Sequence, residues 1–119
     1  MLNQITVMGR IVKDATLNRT ESGASVTGFT VACDRDHFNS DGSHITDFID
    51  CTAWDKTAER VVNNFPKGTM CVVTGRLQSR KWRDRDGNNR TNWEIKVDTI
   101  YFAEPKRRDS NAAAAESAN

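Results

Sequence analysis

The sequence predicts an all-β domain, a five-stranded Greek-key barrel with one helix between its third and fourth strands and long hairpin loops. Three observations carry this. Five segments alternate apolar and polar side chains with a period of two. One stretch, Ala58, Val61, Val62 and Phe65, follows the i, i+3, i+4, i+7 spacing of a helix instead. Turn-forming clusters built on Gly, Asp and Pro separate these segments.

The first strand runs from Leu2 to Lys13, with Ile5, Val7, Gly9 and Ile11 on one face and Gln4, Thr6, Met8 and Arg10 on the other. Thr20-Glu21-Ser22-Gly23 reads as a turn, and Val26 to Cys33 as the second strand, with Phe29, Val31 and Cys33 inward. A polar loop tipped by Asp41-Gly42 leads to the third strand, roughly residues 45–54. Asp55 is placed to cap the helix, and Pro66-Lys67-Gly68 to end it. Met70 to Lys81 is the fourth strand, with Cys71, Val73 and Leu77 inward. Asp86-Gly87-Asn88 turns the chain into the fifth, which begins around Trp93, Ile95 and Val97. Strand–strand–strand–helix–strand–strand is the layout of an OB-fold. The hairpins 34–46 and 80–93 are longer than barrel closure needs, as expected of arms that wrap a ligand or a neighbouring subunit.

At 119 residues the chain makes one domain. Residues 1–105 are expected to form it, and the Ala- and Ser-rich stretch 106–119 to be a disordered tail. No apolar run is long enough to span a bilayer, and Met1-Leu2-Asn3-Gln4 does not open a signal peptide. Cys33, Cys51 and Cys71 lie far apart in apolar runs, which suits buried, reduced thiols in a cytoplasmic protein.

The third strand, Phe48-Ile49-Asp50-Cys51-Thr52-Ala53-Trp54, has two unlike faces. Ile49, Cys51 and Ala53 suit a core, whereas Phe48, Asp50, Thr52 and Trp54 set two large rings among polar residues. Rings on a solvent-side face imply a flat ligand or a covering partner, either a loop or a second subunit. Net charge is only +1, but residues 76–90 carry six basic side chains against two acidic ones. A strip of that kind can hold phosphates or be a solvated hairpin. Phe38, Phe48 and Trp54, followed by Arg80-Lys81-Trp82, interleave rings with bases as a single-stranded nucleic-acid binder does: unpaired bases stack on the rings and the cations follow the backbone. Trp93 shares its parity with Ile95 and Val97, and so is expected in the core or a subunit contact. Of Tyr101 and Phe102, at least one should be buried.

Asp34, Asp36, His37, Asp41, His44 and Asp47 lack compact metal-ligand spacing and read as turn chemistry and solvation. No phosphate-binding Gly loop, nucleophile motif or Cys–His arrangement stands out. The expectation is a non-enzyme with no cofactor.

Leu2-Asn3-Gln4-Ile5-Thr6-Val7-Met8-Gly9-Arg10-Ile11, Phe48-Ile49-Asp50-Cys51, Lys67-Gly68 and Gly75-Arg76-Leu77-Gln78-Ser79-Arg80-Lys81-Trp82 together resemble the bacterial-type single-stranded DNA-binding protein family over about residues 1–105. The resemblance implies an OB-fold homotetramer, a dimer of dimers, that binds single-stranded DNA without sequence specificity in replication, recombination and repair. It places stacking rings at Phe48, Trp54 and Trp82, with Phe38 favoured over His37 for a fourth. It also puts basic contacts at Lys56, Lys67 and Arg80, and a polar contact at Thr30. Arg76 and Lys81 join the expected contacts from local charge alone.

Three departures from the family pattern stand out. Asp14-Ala15-Thr16-Leu17-Asn18 replaces the usual Asp-Pro-Glu and following arginine, and Gln78 stands where arginine is common. The sequence ends Glu116-Ser117-Ala118-Asn119, without the acidic, Pro-Phe-ending tip that recruits repair enzymes in the family. The alternative reading is an OB-fold interaction module of a replication-restart complex that binds DNA weakly. A metal-dependent nuclease using the 34–47 loop is a further competitor.

Overall fold

The computed structural model describes residues 1–104. The tail expected over 106–119 lies outside the described residues. Among the described residues, six strands and one helix follow in the order β1 (Ile5–Ile11), β2 (Asn18–Arg19), β3 (Ser25–Phe38), β4 (His44–Trp54), α1 (Asp55–Asn64), β5 (Met70–Arg83) and β6 (Asn89–Phe102). The sheet runs β1-β5-β6-β4-β3, and β1 closes the ring by pairing with β3 through Arg10↔Ala32 and Ile11↔Val31. This closed five-stranded barrel, with its helix between β4 and β5, is the expected OB architecture. The two-residue β2, which the alternation pattern did not reveal, lies against the start of β3.

The core follows the inward parity of the strands. Ile11, Phe29, Val31, Cys51, Ala53, Cys71, Val73, Ile95 and Ile100 are buried, and Ala58 and Val61 of α1, with Phe65 at its C-cap, plug the barrel. Phe65 stacks on half-buried Phe102 with ring centroids 4.2 Å apart. Tyr101, on the other face, is exposed. In β6 the inward parity changes between Val97 and Ile100, because Asp98 is an extra residue at the register shift facing Thr74/Gly75.

Four local expectations are corrected. Asp55 does not cap the helix: Trp54 occupies the cap position in extended conformation with no side-chain capping bond, and Asp55 is the first helical residue, at φ 55°. Asp tolerates this left-handed turn better than most residues, and its charge suits the helix N-terminus. Leu77 is exposed rather than inward, because β5 has by then left the barrel. Trp93, for the same reason, is outside the core and 59% exposed, which corrects the core half of its expectation and leaves the subunit contact standing. Finally, most of 34–46 and 80–93 is strand. The β3–β4 ladder continues to Phe38↔His44 across a bulge, and the β5–β6 ladder to Arg83↔Asn89, so two ribbon arms project with short tips.

All three cysteines are free thiols. Burial pushes the Cys71 thiol from 9.0 up to about 11, and raises Cys51 further still. Half-buried Cys33 is raised by burial and by the nearby Asp47 and Asp34 carboxylates. A thiol-specific reagent at pH 8 should therefore find at most one slowly reacting cysteine in the folded protein and three after denaturation. The unfolded chain ionises its thiols first as pH rises. The stability linked to Cys71 is thus intact below about pH 9 and lost progressively towards pH 11. Alkaline thermal melts test this; unchanged stability across that window would contradict it.

Candidate nucleic-acid interface

Directly opposed residues in a ladder share a face, so the register shows what the barrel turns outward. Across β3 and β4 the outer pairs are Val26/Trp54, Gly28/Thr52, Thr30/Asp50, Ala32/Phe48, Asp34/Thr46 and Phe38/His44. Trp54, Phe48 and Phe38 therefore stand on one surface, the first two roughly 20 Å apart along the strand at its usual rise. Their exposures are 39%, 67% and 61%. The parallel pair Thr52↔Lys96 carries this face onto β6, and Arg76↔Lys96, Gln78↔Glu94, Arg80↔Asn92 and Trp82↔Arg90 carry it onto β5. Trp82 is 45% exposed, on the same side of its arm as Arg76 and Arg80.

A groove lined by Val26, Gly28, Thr52, Trp54, Gln78, Arg80 and Lys96 crosses this face. It merges at Gly28, Thr52, Arg80 and Glu94 with a crevice that also touches Thr30, Asp50 and Trp93. Trp54, Arg80 and Thr30 are thus brought together. Trp82 and Lys81 line a neighbouring cleft farther along the arm. Lys81 alternates to the side opposite Arg80 and Trp82. Lys56 is exposed in the first turn of α1, and Lys67 is exposed after the helix, its backbone N–H donating to Asp14 at 2.7 Å. Neither lysine lines the groove. Phe38 sits at the end of β3 rather than in a loop, its ring 4.5 Å from His44.

The groove is not uniformly basic. Glu94 accepts from Arg80 at 2.9 Å and from the Thr52 hydroxyl at 2.8 Å, so a carboxylate occupies the place where the arm meets the barrel. Among the described residues Arg76, Lys81, Arg83 and Arg85 have no ion-pair partner, whereas Arg90 is engaged by Asp84 at 2.9 Å. Both arms are braced by acids. Arg35 grips Asp47 through two bonds and holds its carboxyl below the ordinary range. Asp84 is lowered by Arg90 and by the backbone N–H groups of Asn88 and Asp86 across the tip. Asp34, bonded by Thr46, Asp41, bonded by Ser43, and Asp47 therefore serve ribbon geometry. Among the described residues, no group of three or more His, Cys, Asp or Glu is arranged to hold a metal ion.

Sequence reasoning missed Trp93, Lys96, Asp50 and Glu94 as groove residues. Trp93 does share the parity of Ile95, but the β4–β6 pairing stops at Cys51↔Ile95, and beyond it the inward face opens to solvent. The polar run Arg90-Thr91-Asn92 before Trp93 was the available signal that the barrel had ended.

The model of the family described as single-strand binding protein family matches residues 2–103. Single-stranded DNA-binding protein 2 of Listeria monocytogenes is 39% identical over 113 residues, covering 95% of this chain and 71% of the relative. Single-stranded DNA-binding protein B of Bacillus subtilis is 38% identical over 112 residues, covering 94% and 99%. Single-stranded DNA-binding protein of Caldanaerobacter subterraneus is 38% identical over 116 residues, covering 98% and 77%.

Proposed function

The chain belongs to the single-strand binding protein family, and on that premise we propose how it works: the outer face of β3, β4, β6 and β5 binds single-stranded DNA by stacking bases on Trp54, Phe48, Phe38 and Trp82. The observation that carries this is the shared outward face of those exposed rings, opposite a complete core. Stacking is sequence-tolerant because every base has a flat face, and Arg76, Arg80 and Lys96 on the same surface supply charge for the backbone. Thr30 adds a hydroxyl at the groove. Lys81 would serve the far side of the arm, and Lys56 and Lys67 a path around the helix end. The task is binding and protection of single strands in replication, recombination and repair, with no catalytic step and no cofactor.

A homotetramer fits the opposite side of the barrel, where Met8, Val72 and Tyr101 form an apolar row across β1, β5 and β6, with Met8 60% and Tyr101 51% exposed. Light scattering would give the mass of four chains; the mass of one chain would remove that part of the reading.

Titration with a dT oligomer tests the function. Binding at low salt should quench tryptophan fluorescence and weaken steeply as salt rises. Unchanged fluorescence with no mobility shift would overturn it, and would favour an interaction module. Glu94→Gln is expected to tighten binding about three- to tenfold at low ionic strength, since it removes a like charge from the phosphate path and frees Arg80, with the gain shrinking as salt screens the groove. Weaker binding by this variant would mean that Glu94 chiefly positions Arg80.

A further inference from the structure

We infer that the crevice between the β5–β6 arm and the β3–β4 ladder is a single-nucleobase pocket, in which one base of the bound strand lies on Trp93 and turns an exocyclic amino group to Asp50. This rests on the single-strand binding proposed above and adds to it a site that reads a base edge.

The crevice exists because β4 and β6 part company. They pair only at Cys51↔Ile95 and Thr52↔Lys96, so Asp50 of β4 and Asn92, Trp93 and Glu94 of β6 border a gap with no ladder across it. Trp93 lies on the β6 side and Thr30 and Asp50 on the β3–β4 side, with Lys13 and Arg80 also lining the space. Among the described residues no ring partners Trp93, and more than half of its surface is exposed. A large apolar side chain placed between polar walls offers the flat face that a base stacks on.

Asp50 supplies the second half. Its Oδ1 accepts the Thr30 hydroxyl at 3.1 Å, and among the described residues no Lys or Arg pairs with it. An unpaired carboxylate repels the phosphates of a polyanion, so its place beside the groove suits contact with N–H donors. Cytosine N4, adenine N6 and the guanine amino group present such donors, whereas thymine has no exocyclic amino group. The Thr30 bond fixes the carboxylate with Oδ2 left to accept. The open rings Trp54, Phe48 and Trp82 stack any base, and the crevice superimposes a preference for one amino-bearing base.

The test compares a dT oligomer with the same strand carrying one internal dC, which can slide until the dC reaches the crevice. Wild-type protein should bind the dC strand about fivefold more tightly, and Asp50→Ala should reduce that ratio to one. Trp93→Ala should weaken both strands about tenfold or more, with Trp93→Phe restoring most of the loss. Equal binding of the two strands by wild type, or unchanged affinity in Trp93→Ala, overturns the pocket while leaving the general stacking face intact. A change of assembly mass in Trp93→Ala overturns it in favour of a subunit contact. Failure of wild type to bind either strand instead overturns the underlying single-strand reading.

Discussion

Replacing Trp54 and Trp82 together with alanine is expected to weaken binding of a single-stranded oligomer by about 2–6 kcal/mol, or roughly 30-fold to well over a thousandfold. A ring that stacks a base contributes about 1–3 kcal/mol. The two stand on different strands and line separate clefts, so their effects should nearly add. Both rings are substantially exposed, and neither belongs to the buried core. The double variant should therefore melt within a few degrees of wild type. Anisotropy of a labelled oligomer together with a thermal melt checks both halves. Affinity within twofold of wild type would remove these rings from the binding face, and a collapse of the melt would make Trp54 structural.

The second large effect is on folding. Gly75 sits where β5 passes the bulged part of β6, and a Cβ there would overlap the carbonyl oxygen of Lys96. Gly9 on β1 meets the Ala32 carbonyl of β3 in the same way, at the seam that closes the barrel. The obstacle in each case is main chain, which cannot rotate away. Gly75→Val is expected to cost about 3 kcal/mol or more, a large part of a small domain's stability. Denaturant titration should show the midpoint falling sharply. A midpoint equal to wild type would mean that β5 and β6 can separate here without loss.

Strand alternation made the barrel legible. Ile49/Cys51/Ala53 against Phe48/Asp50/Thr52/Trp54 separated core from surface correctly, because a two-residue period leaves no other arrangement once one face is buried. The same rule misled at the barrel's rim. Leu77 and Trp93 keep core parity, yet the strands bearing them continue as an arm after the barrel has ended. Periodicity reports which side a residue faces, not whether anything covers that side. Asp55 looked like a cap because its residue type is right for one, but the turn from β4 into α1 places Trp54 at that position. The carboxylates of Glu94 and Asp50 were legible only as charges. That one holds Arg80 and Thr52 while the other faces a crevice depends on three strands meeting, which no local pattern encodes.

In the binding mode proposed here, exposed rings, and not charge alone, hold the strand. That mode is tested most directly by comparing three ligands of equal length at one salt concentration: a dT strand, the same backbone without bases, and a duplex. Tight binding and tryptophan quenching are expected with the dT strand. The abasic strand should be weaker by a hundredfold or more, on the order of two lost stacks, and the duplex weak because its bases are already stacked on one another. Equal affinity for the dT and abasic strands, without quenching by either, would contradict it.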